Sequence, residues 1–298
     1  MQLIREILGK QKSLGRPALS FEFFPPKTVE GEKNLLERQI PELLSAKPDF
    51  CSVTYGAGGG TREKTLALVK FIQQKFQLPT LAHLTCVNHT QAEVAALLDQ
   101  FFLGGCRNIL ALRGDPPGGG SFQPTPGGFS YASELVAFIR AKGDFSIGVA
   151  GFPEGHVANK HGKLADWKHL QEKTAAGADF ILTQLFFDNN DFFQFRDHLQ
   201  NTLKVNVSIV PGIIAIQSAS QIVRFTQLCG ARIPAVLQKK LDSLAHDDEA
   251  ALAFGIEYAT LQCQELLKQG VPGLHFYTLN KAHSTLAVLK NLGLAKPT

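Results

Sequence analysis

Glu22 stands in the run Ser20-Phe-Glu-Phe-Phe-Pro-Pro26, a carboxylate with aromatic neighbours on both sides. Burial on a strand strips such a group of water and favours its neutral form, which fits a general acid working near neutral pH. The plainer alternative is an ion pair with a buried arginine. Thr54, His83, Asp115, Glu154, His156, Gln184 and Asn280 share its placement, each at or just past the carboxyl end of a short apolar run. One such residue alone could merely cap its run; the set defines a face on which acids, imidazoles and amides converge.

Arg113-Gly-Asp115 closes one run and opens a Pro/Gly-rich stretch over residues 116–128, where the backbone can approach a ligand closely. With no sign of secretion, cell adhesion is a poor reading of this tripeptide. Gly56-Ala-Gly-Gly-Gly-Thr61 also follows a run, but Thr61 replaces the third glycine of a dinucleotide fingerprint and the Gly-Lys-Ser/Thr ending of a phosphate loop is missing. His156, at the end of Gly151-Phe-Pro-Glu-Gly-His156, is a candidate donor to phosphate or ribose, against the ordinary reading of a solvated loop histidine. Asp166 and Lys173 share one helix face, which is ordinarily a solvated one. His246-Asp247-Asp248 cannot converge on a metal from one helix start; helix capping explains them, and no metal site is expected.

These residues need a scaffold that brings the ends of many runs to one place. Eight runs rich in β-branched and aromatic residues recur along the chain: 18–24, 50–55, 80–86, 108–113, 146–152, 180–187, 207–213 and 274–279. Helical periodicity fills the intervals, as at 63–76, 91–103 and 166–176, and most runs are too apolar for a half-exposed sheet. The expectation is an α/β fold of (β/α)8, TIM-barrel type, with carboxyl strand ends that form one catalytic face. Residues 235–270 offer two further helical patterns, the second led by Asp247 and Asp248, so extra helices are expected before the last strand. No linker or composition shift divides residues 1–298, and a single domain is expected.

A net charge of +4 without basic runs suits anionic small molecules and disfavours nucleic acid or a membrane surface as partner. Residues 1–12 read as an amphipathic helix without the core of a signal peptide, so a cytoplasmic protein is expected, with that apolar face as a candidate contact between subunits. Cys51, Cys86, Cys106, Cys229 and Cys263 form no CxxC pair and read as reduced, mostly buried thiols.

The chain resembles the methylenetetrahydrofolate reductases at Phe21-Glu-Phe-Phe-Pro-Pro26, Ser52-Val-Thr-Tyr55, His83-Leu-Thr-Cys86 and Asn108-Ile-Leu-Ala-Leu-Arg-Gly-Asp115. The likeness continues through Ala150-Gly-Phe-Pro-Glu-Gly-His156, residues 177–187, Val210-Pro-Gly-Ile213 and Gly273-Leu-His-Phe-Tyr-Thr-Leu-Asn280. It implies an FAD-holding barrel that takes a hydride from NADH or NADPH and reduces 5,10-methylenetetrahydrofolate to 5-methyltetrahydrofolate, the methyl source for methionine synthesis. It also implies a homo-oligomer whose small-molecule partners are the folate and the nicotinamide nucleotide.

By the same resemblance Glu22 and Asp115 are the catalytic residues, Glu22 as acid toward folate N10 and Asp115 beside flavin and pterin. Thr54, His83, Arg113, Gly114, Asp115, Tyr131, Ala132, Phe152, His156, Asp166 and Lys173 fall at FAD-holding positions. Glu22, Asp115, Gln184, Gln221, Tyr277 and Lys281 fall at folate-binding ones. Phe152 stands where many relatives have tyrosine, and Lys281 where they often have arginine, which exchanges a two-point grip on a carboxylate for a point charge. The regulatory domain that follows the barrel in animal relatives is not expected within these residues.

Two other readings remain open on sequence alone: a flavin-free pterin methyltransferase barrel, which FAD binding would exclude, and a non-catalytic flavin or folate binder, which would not need Glu22. The residues do not choose between NADH and NADPH.

Overall fold

Side chains alternate between the two faces of a strand, and here both faces of almost every run are buried, as a parallel sheet covered on both sides requires. A computed structural model of the chain describes residues 1–55, 62–116, 120 and 122–295. Its strands are β1 (Ala18–Phe23), β2 (Phe50–Val53), β3 (Thr80–Thr85), β4 (Asn108–Leu112), β5 (Ser146–Gly151), β6 (Phe180–Leu185), β7 (Ser208–Ile213) and β8 (Gly273–Tyr277). They pair in parallel and in chain order, and β8 returns to β1 to close the barrel. The fold is the expected (β/α)8 barrel.

The helices are α1 (Ile4–Ser13), α2 (Val29–Asn34), α3 (Ile40–Leu44), α4 (Arg62–Phe76), α5 (Gln91–Leu103), α6 (Ala132–Lys142), α7 (Lys163–Ala175), α8 (Asn189–Asp197), α9 (Ala219–Cys229), α10 (Ala235–Ser243), α11 (Asp248–Lys268) and α12 (His283–Asn291). A π-helical turn, Leu35–Gln39, joins α2 to α3 just before Pro41, whose missing N–H breaks the regular ladder. The two extra helices before β8 are present as α10 and α11, and Asp247 caps α11 by accepting from Ala250 N at 2.9 Å.

Two apolar layers build the barrel, and a third cluster, with Leu185, Ile214, Ile222, Leu237 and Leu241, seats α9 and α10. The large one lies between strands and helices. The smaller one fills the lumen with Ala18, Phe50, Leu81, Leu110, Phe180, Leu182 and Val210, and Ile4, Ile7 and Leu8 of α1 join it. Helix α1 therefore plugs the amino-terminal end of the barrel, tied there by Ile4 N to Asn108 Oδ1 (2.9 Å) and Arg5 N to Ser146 Oγ (3.0 Å). This corrects the expectation of a subunit contact: periodicity shows that α1 has an apolar face, and the lumen is what that face covers. No helix among the described residues is long and apolar enough to cross a membrane. All five cysteines are free, four of them buried. Gly56–Thr61 lies outside the described residues, as does part of the 116–128 stretch.

Candidate active site

Glu22 points into the lumen from β1, in register with Ser52 of β2 and Tyr277 of β8. The residue is 5% exposed, and among the described residues one oxygen, Oε2, takes the contacts: Ser52 Oγ donates at 3.2 Å, His83 Nε2 lies at 3.3 Å and His275 Nε2 at 3.5 Å. Both imidazole nitrogens thus lie within ion-pairing distance of that one oxygen, from β3 and from β8. Burial alone pushes the Glu22 carboxyl up, but polar contact and charge from His275 and His83 outweigh it and bring the group down to about 2. This corrects the expectation of a carboxyl kept protonated by its aromatic neighbours. The ion partner is an imidazole pair from β3 and β8, not an arginine.

The opposite side of the mouth is a cluster of mixed charge. Arg113, Gly114 and Asp115 follow β4, Phe152 and His156 follow β5, and Asp166 and Lys173 ride on α7. Lys173 is half-buried, donates from Nζ to Ala150 O at 3.4 Å, and has its pKa lowered by burial, with Asp166 opposing and Arg113 adding to the shift. His156 is likewise lowered by burial and by Arg113, with Asp166 and Asp115 opposing. These five charged groups thus lie in one another's field, and Asp166 and Lys173 are not on a solvated face. The His156 ring stands edge-on to Phe152 at 4.5 Å, and Trp167 Nε1 anchors the Phe152 carbonyl at 2.9 Å. Gly114 has φ +82°, and a Cβ there would come within 2.9 Å of Thr85 and Val87. Thr54 is half-buried at the end of β2, and at the start of α6 Ala132 is buried while Tyr131 is exposed.

Gln184 sits on a bulge: the β6–β7 register slips between Leu182 and Leu185. Thr183 repairs the broken ladder with its side chain, accepting Gly212 N at 2.9 Å, and Tyr277 Oη donates to the Thr183 carbonyl at 2.6 Å. Gln221 lies on α9, half-buried, and Lys281 is exposed just past β8. The structural reading holds for Asn280, whose amide clasps Phe24 N (2.9 Å) and Phe24 O (2.7 Å). It holds for Glu154 as well, which accepts Arg232 N at 2.8 Å.

Sequence reasoning missed Ser20, Ser52, Thr85 and His275. His275 shares its inward parity with Tyr277 on β8, a signal that was available. A cavity of about 200 Å³ beside Pro25, Pro26, Leu36, Lys64 and Phe71 holds none of the candidate residues and lies apart from this chemistry.

Barrel and mouth define the class: a (β/α)8 enzyme scaffold with an acid–imidazole side facing a mixed-charge side at the carboxyl ends of its strands. The family model for methylenetetrahydrofolate reductase matches residues 7–293. A relative from Arabidopsis thaliana named methylenetetrahydrofolate reductase (NADH) 1 is 41% identical over 97% of this chain and 51% of its own length. The 5,10-methylenetetrahydrofolate reductase of Escherichia coli is 38% identical over 94% of this chain and 92% of its own. The chain therefore belongs to the methylenetetrahydrofolate reductase family, and it spans about half the length of the plant relatives it matches. In fold it is like a solved Clostridium thermocellum protein described as binding two copies of 5-methyl-5,6,7,8-tetrahydrofolic acid, with a TM-score of 0.65 at 17% identity over 96% of this chain and 97% of that one.

Proposed function

We propose that residues 1–298 act as one catalytic domain that reduces 5,10-methylenetetrahydrofolate to 5-methyltetrahydrofolate through bound FAD, with NADH or NADPH as donor. The observation that carries this reading is the buried Glu22 with its two imidazoles, facing the cluster of Arg113, Asp115, His156, Asp166 and Lys173 across the mouth. NADH, for which the Arabidopsis relative is named, is the donor to try first. Free thiols fit a cytoplasmic protein, and the family resemblance extends the reading to a homo-oligomer.

The residues present fit a flavin dinucleotide. Arg113 and Lys173 supply positive charge and His156 a neutral donor for phosphates, with Asp166 beside them as acceptor for a sugar hydroxyl. Gly114 lets the backbone lie close, and Thr85 Oγ1 is a buried polar atom with no hydrogen-bond partner among the described residues, open to a polar ring, with the His83 imidazole of the same strand near it. Thr54, Asp115, Tyr131, Ala132 and Phe152 would complete that cradle. FAD held there would supply hydride chemistry between the nicotinamide and the methylene carbon.

Glu22 delivers a proton from Oε2 to folate N10, which opens the five-membered ring to an iminium able to take the hydride. Asp115, exposed at the mouth, would meet the pterin, and Gln184 and Gln221 its amide edges and tail. Tyr277 has already given its hydroxyl proton to Thr183 O, so it would meet folate by its ring or as an acceptor. Lys281 would hold a tail carboxylate as a point charge.

Glu22→Gln tests the reading. The variant is expected to keep FAD and to be bleached by NADH at the wild-type rate, while reoxidation by methylenetetrahydrofolate slows by about 10²- to 10⁴-fold. Loss of FAD would make Glu22 a structural residue, and normal reoxidation would remove it as the acid.

A further inference from the structure

His275 has no task in that scheme, yet nothing around it looks incidental. It is wholly buried on β8, with its ring stacked on Phe50 (6.5 Å, 12°) and Tyr277 edge-on at 5.3 Å. The polar groups facing it are Ser20 of β1, whose Oγ is 2.8 Å from Nδ1, and the Glu22 carboxylate, 3.5 Å from Nε2; His83 of β3 approaches the same carboxylate oxygen from the other side. Ser20 Oγ also lies 3.4 Å from the Leu274 carbonyl, which can only accept. If Ser20 gives its proton to that carbonyl, it must accept from His275, and the imidazole then carries Nδ1–H. An unprotonated Nε2 would set a lone pair against a buried carboxylate, so a proton belongs in the gap between Nε2 and Oε2.

We propose that His275 is a positioning residue that stores the proton Glu22 uses: fixed through Nδ1 on Ser20, it holds that proton on Nε2 and returns it to Glu22 Oε2 when substrate covers the mouth. The proposal rests on the folate reading above. In the step, the Nε2–H bond breaks and an Oε2–H bond forms, leaving a neutral imidazole that keeps Nδ1–H and a Ser20 that never becomes an alkoxide. The new carboxyl then gives its proton to N10 as the methylene carbon–N10 bond breaks. Water reaching the cluster after product leaves supplies the next proton. Substrate favours the transfer because excluding water penalises the ion pair more than the neutral pair of acid and imidazole. The lowered Glu22 value agrees, since it keeps the carboxyl ionised before substrate arrives. The same step reconciles a carboxylate ionised at rest with a residue that must act as an acid.

The test separates the two half-reactions of the FAD-loaded protein from pH 6 to pH 9. In His275→Asn, which can keep the Ser20 contact, bleaching by NADH should stay within about twofold of wild type. Reoxidation by methylenetetrahydrofolate should slow tenfold or more, with a deficit that grows as pH rises. Ser20→Ala should show the same pH trend at smaller amplitude. A deficit equal at every pH, or none, would overturn the proposal. Failure of the wild-type protein to reoxidise with folate would instead overturn the folate reading itself. Should the variants not fold, a long-range ¹H–¹⁵N spectrum of the wild-type imidazoles decides: the proposal requires Nδ1 of His275 to be protonated at pH 7, and a bare Nδ1 contradicts it.

Discussion

Glu22 holds one oxygen within 3.5 Å of two imidazole nitrogens, and its pKa is brought from 4.5 to about 2 although burial pulls the other way. The unfolded chain therefore takes up this proton first as pH falls. The stability that the pairing contributes is fully present above the unfolded value of 4.5 and is lost as pH drops toward 2. Between pH 6 and pH 3 the loss is on the order of 2 kcal/mol. Glu22→Gln should remove that part of the acid sensitivity, measured as the difference between denaturant midpoints at the two pH values; an unchanged difference would mean that the pairing contributes nothing. The carboxylate was legible from its aromatic run, but its protonation state was not. His83 and His275 come from β3 and β8, and the residues beside Glu22 in the chain report only the burial.

Each element is a compromise between ladder and site, most visibly at the β6 bulge. The slip between Leu182 and Leu185 aims Gln184 and leaves two backbone groups that the ladder no longer pairs; Thr183 Oγ1 takes one and Tyr277 Oη the other. Gly212 completes the arrangement, because a Cβ there would sit 2.3 Å from Thr183 O and 2.6 Å from the Tyr277 ring. Tyr277→Phe should leave the Thr183 carbonyl unpaired and cost about 1–3 kcal/mol in denaturant unfolding. No loss of stability would show that water takes over the bond. The strands themselves were readable to within a residue or two at most ends, since apolar runs bounded by glycine and proline mark them. The bulge was not, because one extra residue changes register without changing composition.

On the scale of the whole molecule, the barrel is closed at one end by its own first helix and open to chemistry at the other. Ile4, with no exposed surface, sits at the bottom of the lumen. Ile4→Asp should therefore destabilise the fold by about 3 kcal/mol or more while leaving the oligomeric state of the folded fraction unchanged. Dissociation without loss of subunit stability, seen by light scattering and denaturation together, would return α1 to the surface. The most direct test of the whole account is an anaerobic visible spectrum of the FAD-loaded protein, titrated first with NADH and then with methylenetetrahydrofolate. The flavin band should bleach with NADH and return with the folate. A band that bleaches and stays bleached when folate is added would contradict the substrate assignment.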